Sequence, residues 1–161
     1  MKEEAKKIIE VIQKVISDPD VQPGYPDANG NTNTTWCNRG ANRIVEALGG
    51  DMKKFLEPRG INWTYANDIY NNAIEYAKEV TAAEAQVLAN DGGLVLAACH
   101  NVKGSGHVAI VCPGVEEFNN DLGPLVGETG ARCRITHSKL AFEKWGYICR
   151  FFIIPKKNRE D

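Results

Sequence analysis

The pair Gly92–Gly93 divides this chain into two halves with different periodicities, and that division limits the folds open to it. Upstream, apolar residues recur at helical spacing. Downstream, "LVLAACH", "GHVAIVCPG", "GPLVGETG", "CRITH" and "GYICRFFIIP" are short β-branched and aromatic runs separated by Gly, Pro and Asn. Strands joined by such short turns pair antiparallel, and helices followed by strands indicate an α+β fold with a helical layer covering one side of the sheet. A chain of 161 residues is long enough to bury a core as one domain, so residues 1–161 are expected to form a single unit.

Four helices are expected before the division. Ile8, Ile9, Ile12, Val15 and Ile16 form the apolar stripe of an amphipathic helix over about 3–17, which stops at Asp18–Pro19. The next segment, "PDVQPGYPDANGNTNTT", is too rich in Pro, Gly and Asn for regular structure and long for an idle connection, which hints at a functional loop. A second helix over about 35–48 carries Ala41, Ile44, Val45 and Leu48, with Thr34 or Thr35 available to cap it and Gly49–Gly50 to end it. A third covers about 64–79 with Ala66, Ile69, Ala73 and Ala77 on one side; in the fourth, "TAAEAQVLAND", Thr81 and Glu84 match a capping box.

Composition excludes several classes of function. The formal net charge is −2 and the only basic cluster is the short tail "PKKNRE", so nucleic acid is not an expected partner. No apolar run is long enough to span a bilayer, and "MKEEAKKIIEVIQKVISDPD" lacks the uninterrupted apolar core of a secretory signal. The expectation is a protein made in the cytoplasm with no membrane partner. Five cysteines without regular spacing do not form a disulfide framework. Cys99, Cys112 and Cys149 lie in apolar strand runs and are expected in the core.

Cys37 differs from these, because it falls in the first turn of the second helix, where exposed N–H groups and the dipole favour a thiolate. A nucleophilic thiol also needs an imidazole, and His107, at the first residue of a strand, is better placed than His100 or His137 to stay half-exposed over the sheet edge. The runs "GHVAIV" and "GPLVGETG" form a hairpin, and folding it about residue 118 puts Glu128 or a neighbour beside His107. A carboxylate there can orient the imidazole; Asn119, Asn120 and Asp121 are the alternatives for that third role. Cys99, His100, Cys133 and His137 do not make a metal site, since neighbours on a strand point to opposite faces and no CxxC pair is present. Trp36, Trp63, Tyr65 and Tyr70 are candidates for lining a cleft, and Arg39 and Arg43 for contacting an acidic peptide; core packing and a solvated helix face account for the same residues.

The elements "TWCNRGANRIVEALG", "YANDIYNNA", "GGLVLAACHNVKGSGHVAIVCPG" and "LVGETGAR" together resemble the CHAP and NlpC/P60 group of papain-like cysteine amidases and peptidases, over about residues 25–153. The resemblance implies a papain-like fold, with N-terminal helices packed on a C-terminal antiparallel sheet, and cleavage of an amide bond in the peptide part of bacterial peptidoglycan. It matches Cys37, His107 and Glu128 to the catalytic Cys, His and polar third residue, and requires no cofactor or metal. It also implies an oxyanion contact from a polar residue some six positions before the cysteine, where Asn31 stands with Asn33 nearby; Trp36 and Asn38 flank the cysteine as further oxyanion or substrate candidates. The implied partners are the peptidoglycan stem peptide and an immunity or inhibitor protein. Action on the wall would follow release through holes in the membrane, injection into a rival cell, or non-classical secretion. Two alternatives stand beside it: a non-hydrolytic peptidoglycan- or protein-binding module on the same fold, and an intracellular cysteine protease or acyltransferase.

Overall fold

The computed structural model describes residues 1–142 and 148–158. Its helices are α1 (Glu3–Ile16), α2 (Cys37–Ala47), α3 (Ala66–Tyr76), α4 (Ala82–Asn90) and α5 (Ser138–Phe142). Its strands are β1 (Glu79–Val80), β2 (Leu94–Cys99), β3 (His107–Val111), β4 (Leu125–Glu128), β5 (Arg134–His137) and β6 (Arg150–Ile154), with single 3₁₀ turns at Pro19–Val21 and Lys53–Leu56. The strands form one antiparallel sheet in the order β1-β6-β2-β3-β4-β5, so the fold is α+β. Among the described residues no helix is long and apolar enough to cross a membrane.

Alternation along the strands sends side chains to two separate cores. Leu94, Leu96 and Ala98 of β2 pack with Val108 and Ile110 of β3 beneath α1, α2 and α3. Val95, Ala97 and Cys99 face the other way, joining Ala109, Val111, Ala85 and Ala89 of α4, and Phe142 of α5. The expectation of helices on one side of the sheet is therefore corrected: α4 and α5 cover the second face. All six residues of β2 are buried, and a strand covered on both faces reads as a continuous apolar run.

Other boundaries shift for local reasons. The third helix ends at Tyr76, and Glu79–Val80 instead add an edge strand beside β6, so one strand precedes the last full helix of the first half. The second helix starts at Cys37 with Trp36 at its N-cap and no side-chain cap; Thr34 donates its hydroxyl to the Tyr25 carbonyl rather than capping. The expected capping box of α4 forms, Thr81 Oγ1 accepting from the Glu84 N–H and Glu84 Oε1 from the Thr81 N–H, each at 3.2 Å. Cys99 and Cys112 are buried as expected, whereas Cys149 is half-buried just before β6. The continuation of the helix expected in "SKLAFEKWG" beyond Phe142, and the first two residues of "GYICRFFIIP", lie outside the described residues.

Helix α1 is part of the core. Ala5, Ile8, Ile12 and Val15 are its buried stripe, and Ile12 fills the space above Gly127 of β4, where a Cβ would lie 2.4 Å from its methyl group. Ile12→Ala is expected to lower unfolding free energy by about 2–4 kcal/mol through the cavity it leaves, measured by urea denaturation.

Candidate active site

Cys37 reaches the sheet because α2 abuts the end of β4 without an intervening side chain. A Cβ on Gly40 would lie 2.0 Å from Oγ1 of buried Thr129, so only glycine lets the helix approach this closely. The Thr129 hydroxyl donates to the Trp36 carbonyl at 2.9 Å, tying the residue before Cys37 to the strand end. Trp36 provides no side-chain cap, and of the first-turn N–H groups that of Arg39 is taken by Asn38 Oδ1, which leaves those of Cys37 and Asn38 at the helix start, where an anion is stabilised.

His107 and Glu128 meet through strand register. In the β3–β4 ladder Ile110 lies opposite Gly127 and Val111 opposite Val126, and continuing this register sets Glu128 across from Ala109, diagonal to His107 on the same face. Nε2 of His107 and Oε1 of buried Glu128 are 2.8 Å apart. That leaves Nδ1 as the ring nitrogen not engaged by Glu128 and available to the neighbouring Cys37 thiol. The ring is backed by Phe142 of α5, centroid to centroid 4.9 Å.

These contacts set the charge state. Burial alone pushes the Cys37 thiol up, but the hydrogen bond and charge of His107, with the backbone groups of Val108 and Asn38, hold it below the ordinary thiol value. Burial disfavours the His107 cation, and its hydrogen bonds and charge interactions with Cys37 and Glu128 outweigh that, raising it to about 9. The two groups titrate as a pair, each favouring the charged form of the other and so biasing the site toward thiolate and imidazolium. At Cys99 and Cys112 burial prevails and both are pushed up to about 12, and it also raises Cys133.

Two further residues belong to this site and had no role in the sequence reading. Arg134 of β5 stands opposite Glu128 in the ladder and donates Nε–H to Oε2 at 2.8 Å, so each carboxylate oxygen has its own partner. Gly130 has a φ of +127°, and a Cβ there would lie 3.4 Å from Cys37 Cβ and 3.5 Å from His107 Cε1, over the reacting atoms. The only sequence signal for either is proximity to Glu128 in "ETGARCR".

The remaining candidates are placed elsewhere or otherwise engaged. Asn31 does not line the cleft: it is exposed, and its Oδ1 accepts the Asn33 N–H within the loop. Asn38 lines the cleft, but its Nδ2 donates to the Thr64 carbonyl and its Oδ1 accepts the Arg39 N–H. The Trp36 ring is stacked under the Arg39 guanidinium, 3.6 Å from its centroid, with Nε1–H donating to the Tyr25 carbonyl. Arg43 pairs with Asp20 and Asp18, and Arg39 donates to the Asp20 carbonyl, which fastens the 3₁₀ turn to α2. Of the four cleft aromatics only Tyr65 lines it; Trp63 is exposed, and Tyr70 packs between His100 and Phe152. Asn119 caps the distant hairpin loop through the Asp121 and Leu122 N–H groups, and His137 is bonded to the Gly123 carbonyl.

Cys37 sits midway along a groove of two lobes, about 310 and 360 Å³, the scale of a short peptide rather than a folded partner. Thr35, Ser105 and Gly106 line both lobes. The 100–106 wall is held by Asn67, whose Nδ2 donates to the Asn101 and Gly104 carbonyls while its Oδ1 accepts the Asn101 N–H. No protein-family model matches this chain, and no curated protein sequence does.

The thiolate is expected to show in alkylation kinetics. Cys37 should react with iodoacetamide at pH 6–7, where the buried thiols are inert, and Glu128→Gln, by removing a support of the imidazolium, should shift the half-maximal rate to higher pH. Mass spectrometry of the modified peptides against pH checks both.

Proposed function

We propose that this protein is a papain-like cysteine hydrolase of the CHAP and NlpC/P60 type, cleaving an amide bond in the peptide part of bacterial peptidoglycan. The observation that carries the reading is the arrangement of Cys37 at an uncapped helix start against the His107–Glu128 pair, in the middle of an open groove. The wall substrate rests on the motif resemblance; the thiol chemistry rests on the geometry.

In acylation the Cys37 thiolate attacks the substrate carbonyl carbon, forming a C–S bond, while the Cys37 N–H donates to the developing oxyanion. The C–N bond then breaks as the His107 imidazolium transfers its proton to the departing nitrogen. In deacylation neutral His107 takes a proton from water, the hydroxide attacks the thioester, and the carboxylic acid leaves with Cys37 restored as the thiolate of a renewed ion pair. Glu128 keeps the imidazole in orientation throughout and stabilises its cation. Arg134 donates to the second oxygen of Glu128, so both oxygens of the buried carboxylate have a side-chain partner. None of these steps draws on a cofactor.

Digestion of purified sacculi with mass spectrometry of the soluble fragments tests the proposal. The wild type is expected to release fragments whose masses identify the bond, and Cys37→Ala to be slower by about 10⁴-fold or more. The alkaline limb of kcat/KM should fall near 9, where His107 loses the proton needed by the leaving amine. Wild-type protein that alkylates selectively at Cys37 yet releases nothing would refute the wall substrate.

A further inference from the structure

The two lobes of the groove differ in charge and in access to the proton donor. His107, Glu128, Arg132 and Arg134 line one lobe, and Tyr65, Asn67 and Asp68 line the other. His107 lines only the first. A general acid must lie within hydrogen-bond reach of the nitrogen it protonates, so the departing amine belongs in the His107 lobe and the acyl portion in the Asp68 lobe.

The His107 lobe carries two guanidinium groups against one carboxylate, and that carboxylate is buried in the wall with both oxygens engaged. Arg132, exposed on the turn between β4 and β5, is the cation that the wall does not offset. The other lobe carries the Asp68 carboxylate and no lysine or arginine among the described residues that line it. A carboxylate on a bound substrate is therefore attracted to one lobe and repelled from the other, and a guanidinium suits it by fork geometry as well as charge.

We infer that the His107 lobe is a carboxylate subsite, with Arg132 as its principal contact, so that the amine released by this protein carries a free carboxylate. Which product the lobe holds rests on the hydrolase reading above; the attraction for carboxylate does not. The subsite gives the groove a direction, with the residue on the amine side anionic and the acyl side excluding anions.

Two alkylating reagents that differ by one carboxylate test this without a substrate: iodoacetate and iodoacetamide. The ratio of their rates at Cys37 is measured at low ionic strength in the wild type, Arg132→Gln, Arg132→Lys and Lys54→Gln. Lys54 lies over Tyr76, away from the groove, and controls for net charge. The ratio is expected to fall about three- to tenfold in Arg132→Gln, to be kept within about twofold by Arg132→Lys, and to be unchanged in Lys54→Gln. Because each ratio is internal to one variant, altered thiol reactivity cancels. An unchanged ratio in Arg132→Gln, with Cys37 still labelled selectively, overturns the subsite and leaves the hydrolase standing. Failure of both reagents to select Cys37 over the other thiols overturns the hydrolase reading and the assignment of the amine to this lobe.

Discussion

The contact between the first turn of α2 and the end of β4 governs the rest of this site. Gly40 lies flush against Thr129, and the Thr129 hydroxyl holds the Trp36 carbonyl, so the thiol of the next residue is delivered to the sheet edge at a fixed distance. From Thr129 the chain leaves the β3–β4 ladder and turns across Cys37 at Gly130, the one residue there without a side chain to cover the thiol and the imidazole. A bulkier residue at position 40 would push the helix outward and lengthen the Cys37–His107 separation. The geometry of the candidate site is thus a matter of how closely a helix approaches a strand end.

Given that geometry, burial and pairing determine which thiol is biased toward its thiolate. Taking a carboxylate out of water is costly unless it is paired and hydrogen-bonded, and Glu128 meets the condition with His107 on one oxygen and Arg134 on the other. The same low-dielectric surroundings strengthen the pull of His107 on the Cys37 thiolate. Cys99 and Cys112 are buried with no cation to offset that burial, and remain thiols.

Antiparallel register made part of the site legible in the sequence. Partners in such a hairpin share a nearly constant sum of residue numbers, so a turn centre near 118 was enough to bring Glu128 or a neighbour close to His107; that the two share a face follows only from the observed register, with Ile110 opposite Gly127. The Cys37 helix start was legible from Asn/Thr-rich loop followed by helical spacing, and the α4 capping box from Thr81 and Glu84. What could not be read depends on contacts between distant segments. The pairing of Arg134 with Glu128 requires the length of the β4–β5 turn, and the cap expected from Thr34 or Thr35 does not form because the helix starts at Cys37, which puts Trp36 at the N-cap. Asn31 had the expected spacing, but the loop folds on itself through Asp27 and Asn33 and keeps it away from the groove. The second helical layer had one sign, the unbroken apolar run of β2, which a half-exposed strand would have interrupted with polar residues.

The most direct measurement of the central claim is an NMR titration of the His107 ring, in the wild type and in Cys37→Ala. The ion-pair account predicts a His107 pKa near 9 in the wild type, several-fold depletion of the imidazolium only above that pH, and a clear fall when the thiolate is removed. A His107 that titrates near the ordinary histidine value of about 6.5, with no change in Cys37→Ala, would contradict the thiolate–imidazolium pair and with it the chemistry assigned to Cys37.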